Sequence, residues 1–226
     1  MKYAVFCISL FLFYACGTSK DIVDKPIVFN DERIQLTKEY LAKRYGLEQD
    51  TPQIEPKMIV LHYTVIPTME KTFDAFNQPQ LPSRPDIATA SALNVSSQFL
   101  VDLDGTIYRL MPETYMARHV IGLNHVAIGV ENVGGTKDVP LTKAQIRANA
   151  WLVKYLTEKY PIEYLIGHSE YTQFEDHEFW LETDDGYRTK KSDPGDHFME
   201  AVRKRTKKLN LKPAPDKSLN GHASLN

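Results

Sequence analysis

The sequence predicts one α/β domain in which a mixed central β-sheet is flanked by helices. Three observations support this fold class. Short apolar runs rich in β-forming residues alternate with segments of helical periodicity, an Asp-Gly pair separates two β-rich arms, and the chain contains no internal repeat. At 226 residues, with 42% hydrophobic and 25% charged residues, the chain has the size and composition of a soluble globular domain.

The first half of the chain alternates helix and strand. A helix is predicted over residues 31–46, where apolar side chains recur on one face and a glycine follows. Residues 58–64, MIVLHYT, indicate a buried strand, and residues 68–76 a second helix. Residues 78–85 are rich in proline and are predicted to form a loop.

The second half continues the alternation, with one especially clear helix. Residues 140–160 carry an apolar stripe, and Thr142 and Gln145 have the spacing of a capping box. The other predicted elements are a hairpin around Asp104-Gly105 within residues 96–111, strands at 126–134 and 164–168, and a last helix at 197–207.

The first 15 residues predict an export signal. One lysine precedes an apolar run that is shorter than the roughly 20 residues needed to span a bilayer. The Ala15-Cys16-Gly17 step is similar to the cleavage box of bacterial lipoproteins, in which the cysteine is acylated, although ordinary signal cleavage stays open as an alternative. We therefore expect lipidation at Cys16, a tether over residues 16–30, and an exported protein anchored in the cell envelope, at the outer membrane or in the periplasm.

Composition excludes several classes of function. Both cysteines, Cys7 and Cys16, lie at the N-terminal end, so the body of the chain has no thiol for a disulfide, a metal or a nucleophile. Residues 203–226 carry seven Lys or Arg residues and one acidic residue, within a chain whose net charge is −2. The body is therefore acidic and argues against nucleic-acid binding. We predict a basic disordered tail over residues 208–226, and a monomer.

Two histidines lie where an apolar strand meets its loop. His62 ends MIVLH and His168 ends YLIGH, and sites are commonly built at the ends of sheet strands. Together with Asp193, in KSDPG, they offer two imidazoles and one carboxylate. That set suits a catalytic zinc ion with a fourth position open to water. From spacing alone, a structural hydrogen-bonding role for each histidine is an open alternative.

Five segments carry a resemblance to a known family: IVLHYT, SSQFLVDLDGTIYRLMPE, ARHVIGLNHVAIGVENVG, LIGHSEY and KSDPG. In order and wording they resemble the type 2 N-acetylmuramoyl-L-alanine amidases, zinc peptidoglycan amidases related to the peptidoglycan recognition proteins. The likeness covers roughly residues 58–202. It implies the fold of that family, with a zinc amidase domain over residues 31–207. It also implies peptidoglycan or muropeptides as partner.

The resemblance implies roles for individual residues. It makes His62, His168 and Asp193 the ligands of one Zn²⁺ ion. It makes Glu131 the group that accepts a proton and passes it to the leaving amine, and Lys191 a group that stabilises the oxyanion. The bond cleaved would join N-acetylmuramic acid to L-alanine of the stem peptide, in cell-wall turnover or recycling. His119 matches a histidine of relatives that either lines the substrate groove or makes a structural hydrogen bond.

Two other functions stay open at this point. One is a binding module that keeps the fold without catalysis, and the other is a zinc peptidase that cuts within the stem peptide. The sequence also departs from the family pattern at Gln98, where many relatives have histidine or tyrosine. A long interval separates the second and third ligands, and we hypothesise that the aromatic residues of segment 169–190 form a wall beside the zinc cleft. The remaining histidines are predicted not to be ligands: His125, His177, His197 and His222.

Overall fold

The computed structural model of the chain describes residues 21–82 and 90–216. The predicted export signal, Cys16 and His222 lie outside these described residues. Within them, every helix is too short or too polar to cross a lipid bilayer.

A mixed six-stranded sheet lies at the centre of the described part of the chain, in the order β1-β4-β3-β5-β2-β6. The strands are β1 (Ile22–Asp24), β2 (Met58–Leu61), β3 (Phe99–Val101), β4 (Ile107–Arg109), β5 (Ala127–Asn132) and β6 (Tyr164–Gly167). The predicted hairpin is confirmed, since β3 and β4 pair antiparallel. All other pairs are parallel, so β5, β2 and β6 end at the same edge of the sheet.

The helices of the described residues agree with the sequence pattern. They are α1 (Asp31–Tyr45), α2 (Met69–Asn77), α3 (Lys143–Lys159) and α4 (Asp196–Thr206), with 3₁₀ turns at His168–Phe174 and Lys207–Leu209. The expected capping box is present, because the Thr142 hydroxyl accepts from the Gln145 backbone while the Gln145 side chain accepts from the Thr142 backbone. Gly46 ends α1 in the left-handed conformation, at φ 66°, which favours glycine.

The sheet is buried on both faces, as the apolar character of its strands requires. Side chains alternate along β2: Ile59 and Leu61 pack with α3 and α4, while Met58 and Val60 face the opposite layer. The opposite layer consists of irregular chain rather than a long helix. It is built from residues 120–127 and from the segment that follows His168. The helix α1 lies beside this layer and packs through Tyr40, Leu41 and Tyr45.

Two predictions about the ends of the domain are wrong. The tether expected over residues 16–30 contains β1, which pairs in parallel with β4, and Ile27 beyond it is buried. The tail expected to be disordered from residue 208 instead packs on the domain as far as it is described. The Leu165 backbone donates to the Lys212 carbonyl, and Ala214 is buried. In both cases an edge strand of the sheet offered unpaired backbone groups that flanking chain could satisfy.

Candidate active site

His62 and His168 meet because of the strand register. Leu61 of β2 is paired with Gly167 of β6, and each histidine is the next residue of its chain. The two imidazoles therefore leave the same edge of the sheet side by side, and their Nδ1 atoms are 2.9 Å apart. Both rings are buried. The sequence-based expectation that these strand ends converge is correct.

Asp193 completes a group of three. It precedes α4, and its carbonyl accepts a hydrogen bond of 2.9 Å from the Ser169 backbone, which holds the loop against His168. Its Oδ2 lies 3.2 Å from His62 Nδ1 and 3.0 Å from His168 Nδ1. The candidate ligand atoms of these three buried residues all lie within 4.8 Å of one another.

The spacing of these atoms suits a metal ion. Zinc bonds of 2.0–2.2 Å in a tetrahedral arrangement place neighbouring ligand atoms about 3.3 Å apart. The observed separations of 2.9, 3.0 and 3.2 Å are close to this value. Two nitrogens and one carboxylate oxygen that meet at one point are also a donor set that zinc prefers. The group therefore fits a zinc ion.

The charges of the group also favour a cation. Burial, together with the neighbouring His62, lowers the pKa of His168 to about 4, so its ring is neutral at neutral pH. Burial alone would raise the pKa of Asp193, but hydrogen bonds to His168 and His62 outweigh it and hold that pKa well below its usual value. A neutral imidazole and an ionised carboxylate are the protonation states that bind metal.

Glu131 lies on β5, the other neighbour of β2. Its Oε2 is buried and has no hydrogen-bond partner among the described residues. Burial raises the pKa of Glu131 to about 7, with His62, Asp193 and Lys191 as smaller influences of mixed sign. A carboxyl group in this state can both take up and release a proton near neutral pH.

A cleft of about 300 Å³ lies at the carboxyl ends of the strands, beside this group of candidate ligands. Glu131, His168, Lys191 and Asp193 all contribute to its wall. Two further residues of the cleft wall were not predicted from the sequence. Tyr63 has a hydroxyl that pairs with Ser192 at 2.9 Å, and Arg118 is buried beside the cleft and donates to the hydroxyl of Tyr187. Irregular chain supplies these residues, so no periodic pattern indicated them.

His119 contacts a predicted ligand directly. Its Nδ1 lies 3.0 Å from His62 Nε2, and its Nε2 lies 3.4 Å from the carbonyl oxygen of Ala127. Burial and the neighbouring His62 lower the pKa of His119 well below its usual value. The ring also forms part of the cleft wall, so both roles considered from the sequence are represented in its surroundings.

Gln98, the departure from the family pattern, lies away from the cleft wall. Its side chain is fully buried, and both ends of its amide bond to backbone: Nε2 donates to the Tyr115 carbonyl and Oε1 accepts from the Gly129 amide. Gln98 therefore fixes the position of β5, and a direct contact with substrate is not available to it.

Four aromatic residues of the long segment between His168 and Asp193 do not pack as we hypothesised from the sequence. Its aromatic residues Tyr171, Phe174, Phe179 and Trp180 pack against the sheet and residues 120–123, within the core. Trp180 lies so close to Gly122 that a Cβ there would be 2.6 Å from the indole. The segment reaches the cleft through Tyr187 and Thr189 instead. These four rings therefore pack with the core rather than line the cleft, because burial of apolar surface against the sheet is favourable, and Tyr187 is the aromatic residue of the segment that lines the cleft.

The other histidines of the described chain lie elsewhere. The ring of His125 contacts Tyr45, and burial lowers its pKa to about 4. His177 is hydrogen-bonded to the Tyr164 hydroxyl at 3.0 Å, and His197 is exposed on the first turn of α4.

Comparison with known proteins supports the same reading. The family model for N-acetylmuramoyl-L-alanine amidase matches residues 50–196, which is more than half of the chain. The chain therefore belongs to the N-acetylmuramoyl-L-alanine amidase family. A sequence search of curated proteins gave no significant match.

Solved amidase structures share this fold. The N-acetylmuramoyl-L-alanine amidase LysC from Clostridium intestinale matches with a TM-score of 0.52 and 23% identity, over 86% of this chain and 100% of that one. The endolysin amidase LysCS from the same organism matches with a TM-score of 0.51 and 23% identity, over 85% and 97%. A human peptidoglycan recognition protein in complex with a glycosamyl muramyl pentapeptide has a TM-score of 0.47 and 17% identity, over 70% and 88%.

Proposed function

We propose that the protein is a zinc-dependent hydrolase that cleaves the amide bond between N-acetylmuramic acid and L-alanine, in peptidoglycan or in muropeptides. Its role would be in cell-wall turnover or recycling. One observation carries the proposal: the buried group of His62, His168 and Asp193 meets a cleft through His168 and Asp193, and the same cleft is lined by Glu131, whose buried Oε2 has no hydrogen-bond partner among the described residues. Membership of the amidase family supports the substrate class.

The three ligand residues would hold the metal through His62 Nδ1, His168 Nδ1 and Asp193 Oδ2, the atoms that converge. When bound, zinc acts as a Lewis acid and lowers the pKa of water from 15.7 to about 7, which makes a nucleophile available at neutral pH. Glu131 and Lys191 would supply the two remaining functions, proton transfer and stabilisation of the developing negative charge.

Glu131 would accept the proton of the attacking water and donate it to the amide nitrogen as the C–N bond breaks. Its raised pKa of about 7 suits both steps, because a general acid–base group works best when its pKa is near the operating pH. Lys191 lines the same cleft, and its ammonium would stabilise the negative charge that develops on the scissile carbonyl oxygen.

The proposal is tested by incubating the purified protein with defined muropeptides and identifying the products by mass. We expect free stem peptide and a peptide-free muramyl sugar when zinc is present, and neither product after chelation. The zinc peptidase alternative predicts fragments cut between amino acids. Intact muropeptide that is bound but never cleaved in the presence of zinc would instead identify a binding module. Either of these outcomes contradicts the proposal.

We propose further that the protein is exported and anchored in the cell envelope through a lipid on Cys16. The support is the sequence alone: an apolar leader followed by Ala15-Cys16-Gly17. Cells that express the chain with labelled palmitate should produce a labelled protein, and the label should disappear in Cys16→Ser. Equal labelling of the two proteins would contradict this assignment.

A further inference from the structure

We infer that His119 is a positioning residue, which fixes His62 in the ring orientation and tautomer whose Nδ1 faces the metal. This inference rests on the zinc site of the proposed function but requires nothing about the substrate. It assigns to His119 a role distinct from contact with substrate in the groove.

The hydrogen bonds of His62 and His119 form a series in which each donor and acceptor is determined. His62 turns Nδ1 toward His168 and Asp193, so with a metal there the proton of its ring must lie on Nε2. That Nε2–H points at His119 Nδ1, 3.0 Å away, which must therefore accept. The proton of the His119 ring then lies on Nε2, where the Ala127 carbonyl oxygen is 3.4 Å away and can only accept.

The backbone around His119 is arranged to hold the ring in place. Its amide donates to Asn124 Oδ1 at 2.9 Å, and the same oxygen accepts from the Val120 amide at 2.8 Å. This shared acceptor fixes the turn that carries the ring. The Asn124 side chain is itself fully buried and donates to the Tyr45 hydroxyl at 2.8 Å, which ties the turn to α1.

Gly129 gives independent support. It lies in the middle of β5, where glycine weakens a strand and commonly marks close approach by another group. A Cβ at this position would lie 2.8 Å from two ring atoms of His119. Space for the imidazole is therefore the reason for glycine here. Gln98 also bonds to the Gly129 amide, so the strand beneath the ring is held as well.

A partner of this kind raises the basicity of a metal-bound histidine and removes its freedom to rotate. Loss of such an outer hydrogen bond typically weakens metal affinity by about 10- to 100-fold. A residue that only lined the groove would change substrate binding and leave zinc affinity alone. Zinc affinity measured without substrate therefore separates the two roles.

The test compares His119→Phe, His119→Gln and, as a control, His125→Phe. Phenylalanine keeps a ring but neither accepts nor donates, glutamine can do both, and His125 is a half-buried histidine that contacts Tyr45 rather than a ligand. Zinc dissociation constants come from competition with a chromophoric chelator. We expect about a 10- to 100-fold increase for His119→Phe, partial recovery for His119→Gln, and no change for His125→Phe.

A spectroscopic measurement gives a second readout. In the zinc-loaded wild type, ¹⁵N–¹H correlation spectra should place the His62 proton on Nε2 and show slow exchange with solvent. In His119→Phe that proton should exchange faster. Wild-type zinc affinity in His119→Phe, or a His62 proton on Nδ1 in the wild type, would overturn the inference.

Gly129→Ala covers the case in which His119→Phe does not fold. The added methyl group would displace the imidazole without removing it, so zinc affinity should fall in this variant too, and an unchanged affinity would overturn the inference. The outcome is separate from that of the proposed function. Weakened zinc binding by these variants, in a protein that cleaves no muropeptide, would retain the role of His119 and remove only the hydrolase.

Discussion

Two shielded glutamates in this molecule have opposite surroundings. Glu113 is almost fully buried, and both of its oxygens are occupied: Oε1 by Tyr155 at 3.0 Å, and Oε2 by Lys159 at 2.6 Å and Tyr160 at 2.7 Å. Glu131 instead keeps a buried Oε2 that has no hydrogen-bond partner in the part of the chain that the structure describes. Both oxygens of the Glu113 carboxylate therefore have hydrogen-bond partners within the protein, whereas one oxygen of Glu131 has none among the described residues.

The difference appears in the pKa values. Burial alone would raise the pKa of Glu113, but hydrogen bonds from Lys159, Tyr160 and Tyr155 outweigh it and lower the pKa below its usual value. Burial raises the pKa of Glu131 to about 7, because nearby charges do not offset it. A carboxylate with its own donors stabilises a fold, whereas one left without them is available for proton transfer. The comparison therefore separates a structural glutamate from the glutamate that we propose to be catalytic.

The largest expected effect is on turnover in Glu131→Gln. The amide keeps the shape of the side chain but cannot accept the proton of water, so turnover should fall by about 10²- to 10⁴-fold. Steady-state kinetics on a muropeptide measures the loss. Zinc content and the thermal midpoint serve as controls and should match those of the wild type. Near-normal turnover in this variant would remove Glu131 from the mechanism.

Glu113→Gln should lower stability and leave turnover unchanged, the opposite of the result expected for Glu131→Gln. It removes the charge from a set of donors on α3 and at its end, so the free energy of unfolding should fall by about 1–3 kcal/mol. The exposed part of Lys159 limits the loss, because its side chain is 42% exposed and is screened by water. Turnover should be unchanged. Chemical denaturation and kinetics on the same preparation check both statements, and a kinetic defect without loss of stability would contradict the comparison.

The contribution of Glu113 should also depend on pH. Because the folded-state pKa is lower than the ordinary value of 4.5, its stabilisation is complete above that value and is lost as the pH falls through the lowered pKa. The difference in unfolding free energy between wild type and Glu113→Gln should therefore shrink in acid. Denaturant titrations at several pH values measure this. A difference that grew as the pH fell would show the opposite sign.

The smallest effect is expected for Tyr160→Phe, which removes one donor to Glu113 and leaves the others. The loss should be about 0.5–1.5 kcal/mol, the usual net value of one hydrogen bond. Denaturant titration beside Glu113→Gln gives the ratio of the two effects. A loss of unfolding free energy in Tyr160→Phe as large as that in Glu113→Gln would contradict this account, in which several donors each contribute to the stabilisation by Glu113.

The sequence predicted the histidine pair for a definite reason. Apolar strands at 58–61 and 164–167 are parallel neighbours, so whatever follows them meets at one edge. Asp193 was a candidate third ligand by residue type, and only the family resemblance assigned it that role, because irregular chain separates it from His168. Glu113 pairs with Arg109, four residues earlier, at 3.2 Å. Its other partners are 42–47 residues away in sequence and come from one end of α3, and no local pattern indicates those contacts.

The errors at the ends of the domain have a similar origin. Residues 22–24 and 209–214 are short and have little periodicity of their own, and their structure comes from pairing with an edge that exists only after the sheet has formed. In the same way, the role of His119 depends on contacts with β2 and β5 that sequence spacing does not specify. Tertiary contacts therefore determine the structure of both terminal segments and the role of His119.

The most direct test of the metal site is an anomalous difference map, measured at the zinc absorption edge on crystals grown with zinc. We predict a single strong peak in the cleft, about 2.0–2.2 Å from His62 Nδ1, His168 Nδ1 and Asp193 Oδ2. A map without a peak among these three atoms, or with zinc held elsewhere in the chain, would contradict the account.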